Sequence, residues 1–442
     1  MITRSIAAKR WGAAAASLVA LTLVTAGCTT SAPTGDPTTS DEPVEILFWS
    51  WLPNIQTTID LFEEAHPNIT VNLENVGAGQ EQYTKMQNAI DAGSGGPDVA
   101  QVTYDAIASF AITGALADIE QSTDADLDDI FLSGVLQNVR VDGTTYGVPQ
   151  DFGPGVLYYR EDVFTDAGVE VPETWDDYAV AAEAIRASGD DRYITYLDAG
   201  LADFAYMGFW QMEADPWSVS SADVSIDLGG AGPQQWAEYW GDLNARDLLI
   251  HSTMGSDEWF RQMGDGQIAS WVVGAWGLQA LQNNLPDNEG LWRVAPMPSW
   301  EAGQPASSQF GGSSTVVLEQ SEKKDAATTF ALWLNSDPVA VESLKNDQGL
   351  LPTTNAAWEA PDFVDEEIAY LGGQQARQVF AESADTTAPG WEWLPFQVYV
   401  TSVFQDTVGA AIDSGGDMEA ALLDWQGRIV EYAQNQGFTV AE

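Results

Sequence analysis

The sequence predicts an α/β protein of two lobes, and three observations predict it. Strand-like and helix-like segments alternate from Val44 to Val102. With 442 residues, 45% hydrophobic and 19% charged, the chain can bury a sizeable core and is too long for one ordinary domain. The segment Gln150-Asp151-Phe152-Gly153-Pro154-Gly155 has the composition of a crossover between lobes.

From the N-terminus, Arg4, Lys9 and Arg10 precede an apolar stretch from Trp11 to Thr25. That stretch is short for a membrane span and shaped like a secretory signal, expected over residues 1–27. The run Leu23-Val24-Thr25-Ala26-Gly27-Cys28 resembles a bacterial lipoprotein box, although Thr25 stands where an aliphatic residue is usual. Cys28 is therefore the expected lipidation site. As the single cysteine it cannot form an intramolecular disulfide. Residues 28–43 are almost entirely small, polar or acidic, a composition that cannot bury apolar area and behaves as a tether. No later segment reaches about eighteen consecutive apolar residues, so the mature chain is expected to be anchored to a membrane without spanning it.

The run from Val44 to Trp51 is β-rich and nearly continuously apolar, as in a strand of a parallel sheet buried on both faces. Ile55, Ile59, Phe62 and Ala65 recur at helical spacing until Pro67-Asn68 stops the helix, and Ile69, Val71 and Leu73 alternate as a second strand. Tyr83, Met86 and Ile90 line the next helix, Gly93 to Pro97 breaks it, and Val99 to Val102 is a third strand. Ligands of such a sheet settle beyond the carboxyl ends of its strands, where Trp49, Trp51, Tyr104 and Asp105 fall. The crossover segment follows a strand from Tyr146 to Pro149 and reads as one hinge strand. Helical patterns resume at Trp175 to Ala187 and Pro233 to Leu243, and Gln309 to Leu318 reads as a strand leading into a helix from Lys324 to Leu334.

Charge narrows the function. The chain has 66 Asp and Glu against 16 Lys and Arg, a formal net charge of -50. Such a surface repels phosphate backbones, which excludes nucleic acid, and favours a soluble monomer. Anionic ligands fit poorly too, because Lys85, Arg140 and Arg160 cannot easily assemble a carboxylate or phosphate clamp. The cluster Asp124, Asp126, Asp128 and Asp129 lacks the glycine and terminal glutamate of a calcium loop. No cofactor or metal is implied.

Several stretches, in this order and spacing, resemble the family 1 extracellular solute-binding proteins of ATP-binding-cassette importers, the maltose-binding-protein-like group. They are Phe48-Trp49, Phe62-Glu63-Glu64, Pro67-Asn68-Ile69, Gly96-Pro97-Asp98-Val99, Gly114-Ala115-Leu116-Ala117-Asp118 and Tyr146-Gly147-Val148-Pro149. Further on come Leu157-Tyr158-Tyr159-Arg160, Pro172-Glu173-Thr174-Trp175-Asp176-Asp177, Asp265-Gly266-Gln267-Ile268-Ala269 and Gly349-Leu350-Leu351-Pro352. The resemblance implies a type II periplasmic-binding-protein-like fold, with a ligand cleft between lobes joined by hinge crossovers. It implies a first lobe of residues 44–150 plus 309–350 and a second of 151–308 plus 351–442. It further implies a lipid-anchored protein on the outer face of the bacterial cell membrane. There it would close over a neutral di- or oligosaccharide and deliver it to the transmembrane permease subunits of an importer.

Tryptophan is the strongest compositional signal, at 18 residues, about three times average usage. A pyranose packs its C–H face on an indole while its hydroxyl rim needs polar partners. Trp49, Trp51, Trp210, Trp271, Trp276, Trp391 and Trp393 stand in expected loops and strand ends, and Gln80, Asp105, Gln150 and Asp151 are candidate hydroxyl partners. In similar family members the segments matching Trp276 and Gly311-Gly312 approach the cleft. Any one tryptophan is equally at home in a core, and Trp236, Trp240, Trp333 and Trp425 sit on helical patterns that assign them to packing.

Two rivals stay open. A carboxylate pair in an aromatic cleft is also the apparatus of a glycoside hydrolase, and an aromatic box also binds quaternary ammonium compounds. Other chemistries are poorly equipped. His66 and His251 are the two histidines, and no G-x-S-x-G elbow, H-E-x-x-H or Gly-Lys phosphate loop occurs.

Overall fold

In the computed structural model, which describes residues 43–189, 191–220 and 223–441, the apolar run after the tether becomes strand β1 (Val44–Trp49). The expected signal, Cys28 and all but the last residue of the tether lie outside the described residues. Helix α1 (Gln56–Ala65) buries Ile59 and Phe62 against the sheet and gives way at Pro67-Asn68 to β2 (Ile69–Glu74), which pairs in parallel with β1. Helix α2 (Gln80–Ala92) ends on Gly93 in the left-handed conformation, a C-terminal cap that glycine adopts without steric cost. Strand β3 (Val99–Thr103) then pairs in parallel with the other edge of β1 and runs directly into α3 (Tyr104–Ala111).

The crossover is a longer element than its sequence suggests. Instead of a strand ending at Pro149 and a connecting segment, β4 (Val148–Arg160) is one continuous strand. It is continuous because both halves find partners. Residues from Val148 to Pro154 pair with a strand described below, β7, and residues from Gly155 to Arg160 pair with two others. Those two are β5 (Ser270–Gly274) and β6 (Trp292–Pro296), both antiparallel to β4. Between β4 and β5 lie α4 (Trp175–Ser188), α5 (Ala202–Gln211) and α6 (Ala231–Ala245). The Pro-Glu-Thr-Trp-Asp-Asp motif starts α4 with a reciprocal cap. The Thr174 side chain accepts from the Asp177 backbone N–H, and Asp177 accepts from the Thr174 backbone.

Strand β7 (Gln309–Val317) returns between β3 and β4, antiparallel to both, and leads into α7 (Lys324–Ser336). The sheet therefore runs β2-β1-β3-β7-β4-β5, with β6 also on β4, seven strands in all. It is mixed where a parallel sheet was expected, because β7 enters the β1–β3 sheet from the far lobe and crosses it in the opposite sense. Then come α8 (Ala376–Asp385), α9 (Gln397–Ser402) and α10 (Met418–Asn435), followed by a short strand, Thr439–Ala441. Helix α9 packs on α3, and Gln80 Nε2 of α2 donates to Val398 O at 3.0 Å. The two sides of the hinge thus meet at their free ends as well as at the crossover.

Trp236, Trp240 and Trp425 are fully buried, and Trp333 is partly buried against the core. Glycine sets how closely the crossover strands approach. A Cβ at Gly153 would lie 2.2 Å from the backbone oxygen of Phe310, and one at Gly274 would lie 2.4 Å from the same atom. Gly427 sits in the interior of α10 with nothing within 4 Å of a built Cβ. Gly153→Ala should therefore cost about 1 to 3 kcal/mol in urea unfolding by forcing β4 and β7 apart. Gly427→Ala should raise stability by about 0.5 to 1 kcal/mol, and equal effects would refute a tight crossover.

Candidate functional site

The wall of the site is built where β7 breaks register with β4, between Gln309 and Gly312. Gly311 and Gly312 have φ of 74° and 100°, a region that side chains rarely adopt, and a Cβ at Gly312 would lie 2.7 Å from the Tyr104 ring. Beyond the bulge, the Ser313 backbone N–H and hydroxyl both donate to Asp151 Oδ1, at 2.9 and 2.5 Å. The same hydroxyl lies 3.2 Å from Gln150 Oε1 and accepts from Gln101 Nε2 at 3.1 Å. Tyr104 OH donates to Asp151 O at 2.8 Å, which fixes α3 to the crossover. Burial pushes the Asp151 carboxyl up to about 6, against the pull of Ser313. Gln150 is buried, and its Nε2 has no partner.

Two carboxylates share a cavity with the glycines of this wall. Asp105 stands in the first turn of α3 and Asp203 in the first turn of α5, and both line a cavity of about 20 Å³. Tyr104, Tyr206, Trp210, Trp393, Gly311 and Gly312 complete most of its surface, and none of its lining residues is cationic. A volume of that size holds about one water molecule. Burial, and then the charge of Asp105, raise the Asp203 carboxyl well above the ordinary range. Burial raises Asp105 as well, opposed by the Thr103 hydroxyl and by backbone N–H groups of the helix start. Positive helix N-termini make two facing carboxylates tolerable without a cation.

The cavity opens beside a groove of about 940 Å³ lined by Trp210, Trp391, Trp393, Phe152 and Trp358 among others, a size usual for small-molecule sites. The Trp210 and Trp391 rings stack with centroids 5.2 Å apart and planes 5° from parallel, and Trp393 stands edge-on to both. Trp210 Nε1 donates to Ala388 O at 2.7 Å, whereas the buried Nε1 atoms of Trp391 and Trp393 have no partner. Glu392 holds this segment in place by accepting, through its carboxylate and its backbone oxygen, from Val219 N and Trp217 Nε1. Indole faces in the groove, with two acceptor groups in the adjoining cavity, are the complement of a ring bearing hydroxyls.

Of the residues singled out in the sequence, Tyr104, Asp105, Trp210, Gly311, Gly312, Trp391 and Trp393 come together at this cleft. Gln150 and Asp151 lie beneath it in the crossover network. Trp276 props the crossover instead of lining the groove: its Nε1 donates to Phe310 O at 2.8 Å, and it fills the space beside Gly274 and Gly311. Trp271 is 1% exposed and packs edge-on against Trp259 and Trp276. Trp49 is buried with its Nε1 on Glu74, Trp51 is partly buried outside both spaces, and Gln80 contributes an exposed contact to α9. Asp203, Tyr206, Asn138, Gln309 and Phe310 line the cavity without having been singled out. Asp203 carried a readable signal, being a lone carboxylate in the otherwise apolar start of Ala-Asp-Phe-Ala-Tyr-Met-Gly-Phe-Trp-Gln. The cations noted earlier are each paired: Lys85 with Glu81 and Arg160 with Asp162 away from the cleft, and Arg140, which lines the groove, with Asp128.

Comparison with known proteins agrees with this architecture. The profile of the family described as bacterial extracellular solute-binding protein matches residues 50–341. An arabinooligosaccharide-binding protein of Halalkalibacterium halodurans is 25% identical over 346 residues, 74% of this chain and 75% of its own length. A binding protein associated with an ABC transporter of B. animalis subsp. lactis Bl-04, solved with β-1,6-galactobiose, is 35% identical. It superposes with a TM-score of 0.83 over 90% of this chain and 99% of that one. The galacto-N-biose/lacto-N-biose I-binding protein of an ABC transporter from Bifidobacterium longum shares the fold at 23% identity and a TM-score of 0.78, over 90% and 99% of the two chains. By that profile, and by the 35% identity to the Bl-04 protein, this chain belongs to the bacterial extracellular solute-binding protein family.

Proposed function

We propose that this chain is the extracytoplasmic capture component of an ABC importer and that its cargo is a neutral di- or oligosaccharide, with β-linked galactobiose the leading case. The observation that carries the reading is the groove itself. Trp210, Trp391 and Trp393 offer stacking faces beside the acceptors Asp105 and Asp203, no cation is among the residues that line the adjoining cavity, and Arg140 of the groove is neutralised by Asp128. The β-1,6-galactobiose complex of the 35% identical protein supports the choice of sugar. In this reading residues 44–150 with 309–350 form one lobe and 151–308 with 351–442 the other. The ligand sits between them, and the closed form is what the permease subunits recognise. The mature protein is a monomer held to the outer face of the cell membrane through Cys28, and it neither carries a cofactor nor turns its ligand over.

The carboxylate pair is the one feature that a glycoside hydrolase would share, and the aromatic walls are the feature that a quaternary ammonium receptor would share. A thermal-shift and calorimetric screen of the chain from residue 29 onward, with β-1,6-galactobiose, arabinooligosaccharides, choline and betaine, separates these readings. Binding to the native state must raise the melting temperature. The expected result is a shift with galactobiose, none with the amines, and unchanged sugar on product analysis. Cleavage, or a response to the amines alone, would replace the reading. Trp393→Ala should weaken galactobiose binding by about 1 to 3 kcal/mol with little loss of stability, whereas Trp271→Ala should cost about 3 to 5 kcal/mol of stability. In cells, Cys28→Ser should move the protein from the membrane fraction to the soluble extracytoplasmic fraction, and retention on the membrane would remove the lipid anchor from the proposal.

A further inference from the structure

The cleft described above brings two carboxyl groups to one cavity. Asp105 comes from α3 on the β1–β3 side, and Asp203 comes from α5 on the far side of the crossover. Both reach the same cavity of about 20 Å³, which has room for about one water molecule. The titratable groups that act on the pair or line its cavity are Tyr83 on α2, Tyr104 on α3 and Tyr206 on α5. All three are neutral, so among the residues that line the cavity nothing offsets a second negative charge except the two helix starts. Separating the lobes would return each carboxylate to water and to its own helix terminus.

We infer that the Asp105–Asp203 pair is a proton-operated latch: bringing the lobes together takes up one proton, shared by the two carboxylates, and parting them releases it. No bond is made or broken except that of the proton, which comes from solvent and returns to it. The directions of the two carboxyl shifts agree, since both are raised where the two groups share the cavity, by burial in each case and for Asp203 also by its partner. For a carboxyl whose value is raised in one state, that state is favoured fully at pH below the ordinary carboxylate value. The preference is lost as pH rises through the raised value. Closure is thus favoured by mild acid and opposed at neutral to alkaline pH. A ligand hydroxyl would donate to whichever carboxylate remains charged. The inference rests on the lobe-closing reading above but not on the identity of the sugar.

Residues from Pro43 to Glu442 form one compact unit by themselves, so that span is a suitable sample. Its radius of gyration, followed without ligand by small-angle X-ray scattering from about pH 8 to about pH 5, should fall as acid closes the lobes. In Asp203→Asn and Asp105→Asn, each of which keeps the side-chain shape, that transition should disappear. A radius independent of pH in the wild type, or a transition that survives both substitutions, would overturn the latch. With galactobiose, calorimetry in two buffers of different ionisation enthalpy should report uptake of about one proton. Affinity should rise by up to about tenfold per unit fall in pH through the titration of the pair. Asp203→Asn should bind without proton exchange. Sugar binding with no proton uptake in the wild type would also overturn the latch. A complete lack of sugar binding would instead remove the choice of ligand, and the scattering series would still decide this inference.

Discussion

Everything at the cleft depends on one strand that finds partners along its whole length. Because β4 pairs with β7 through its first half and with β5 and β6 through its second, a single sheet continues through the crossover, with register shifts between Gln309 and Gly312 and between Ser313 and Ser314. Glycines stand at its midpoint, where a Cβ at Gly153 or Gly274 would meet the Phe310 backbone oxygen. The register break at Gly311 and Gly312 falls at this midpoint. These glycines remove side chains from the floor of the site, and let Tyr104 and Trp276 press against bare backbone.

The energetic character of the site follows from what it leaves unpaired. Elsewhere the buried polar groups of the crossover are stitched to one another, through Ser50, Gln101, Ser313 and Asp151. Around the cleft the pairing is incomplete: the buried indole N–H groups of Trp391 and Trp393 and the Gln150 amide lack acceptors, while Asp105 and Asp203 keep only the donors of their own helix starts and Thr103. Buried polar groups without partners are costly, so a molecule rich in hydroxyls that supplied the missing bonds would be favoured at this cleft. The groove supplies apolar faces for the rest of that molecule. A charged ligand would meet either the acid pair or the surrounding negative field.

Much of this fold could be read from the sequence because its elements announce themselves by period. The strand at Val44, the helix carrying Ile59 and Phe62, and the helices begun at Trp175 and Lys324 all lie within a few residues of where pattern placed them. The crossover was legible in composition but not in extent, since Gly-Pro-Gly inside a strand looks like a break until a partner strand is known. Site residues divided along the same line. Trp391 and Trp393, in a Pro-Gly-Trp-Glu-Trp-Leu-Pro segment that cannot be helical, lie at the groove, while Trp271, in an apolar run, is core. Asp203 escaped notice because an apolar helix reads as packing, and only the cavity it shares with Asp105, a carboxylate far away in the chain, gives its position meaning.

The segment that carries Trp391 and Trp393 is attached lightly. Its main fastenings are the Glu392 contacts to Trp217 and Val219 and the Trp210 bond to Ala388 O. The crossover, by contrast, is confined by close backbone contacts at Gly153, Gly274 and Gly312. Divergence can therefore act on the two with different freedom. Exchange of a few positions around the paired indoles would retune cargo choice and leave the crossover untouched, so one scaffold can give rise to receptors for many nutrients through changes confined to a short stretch of chain.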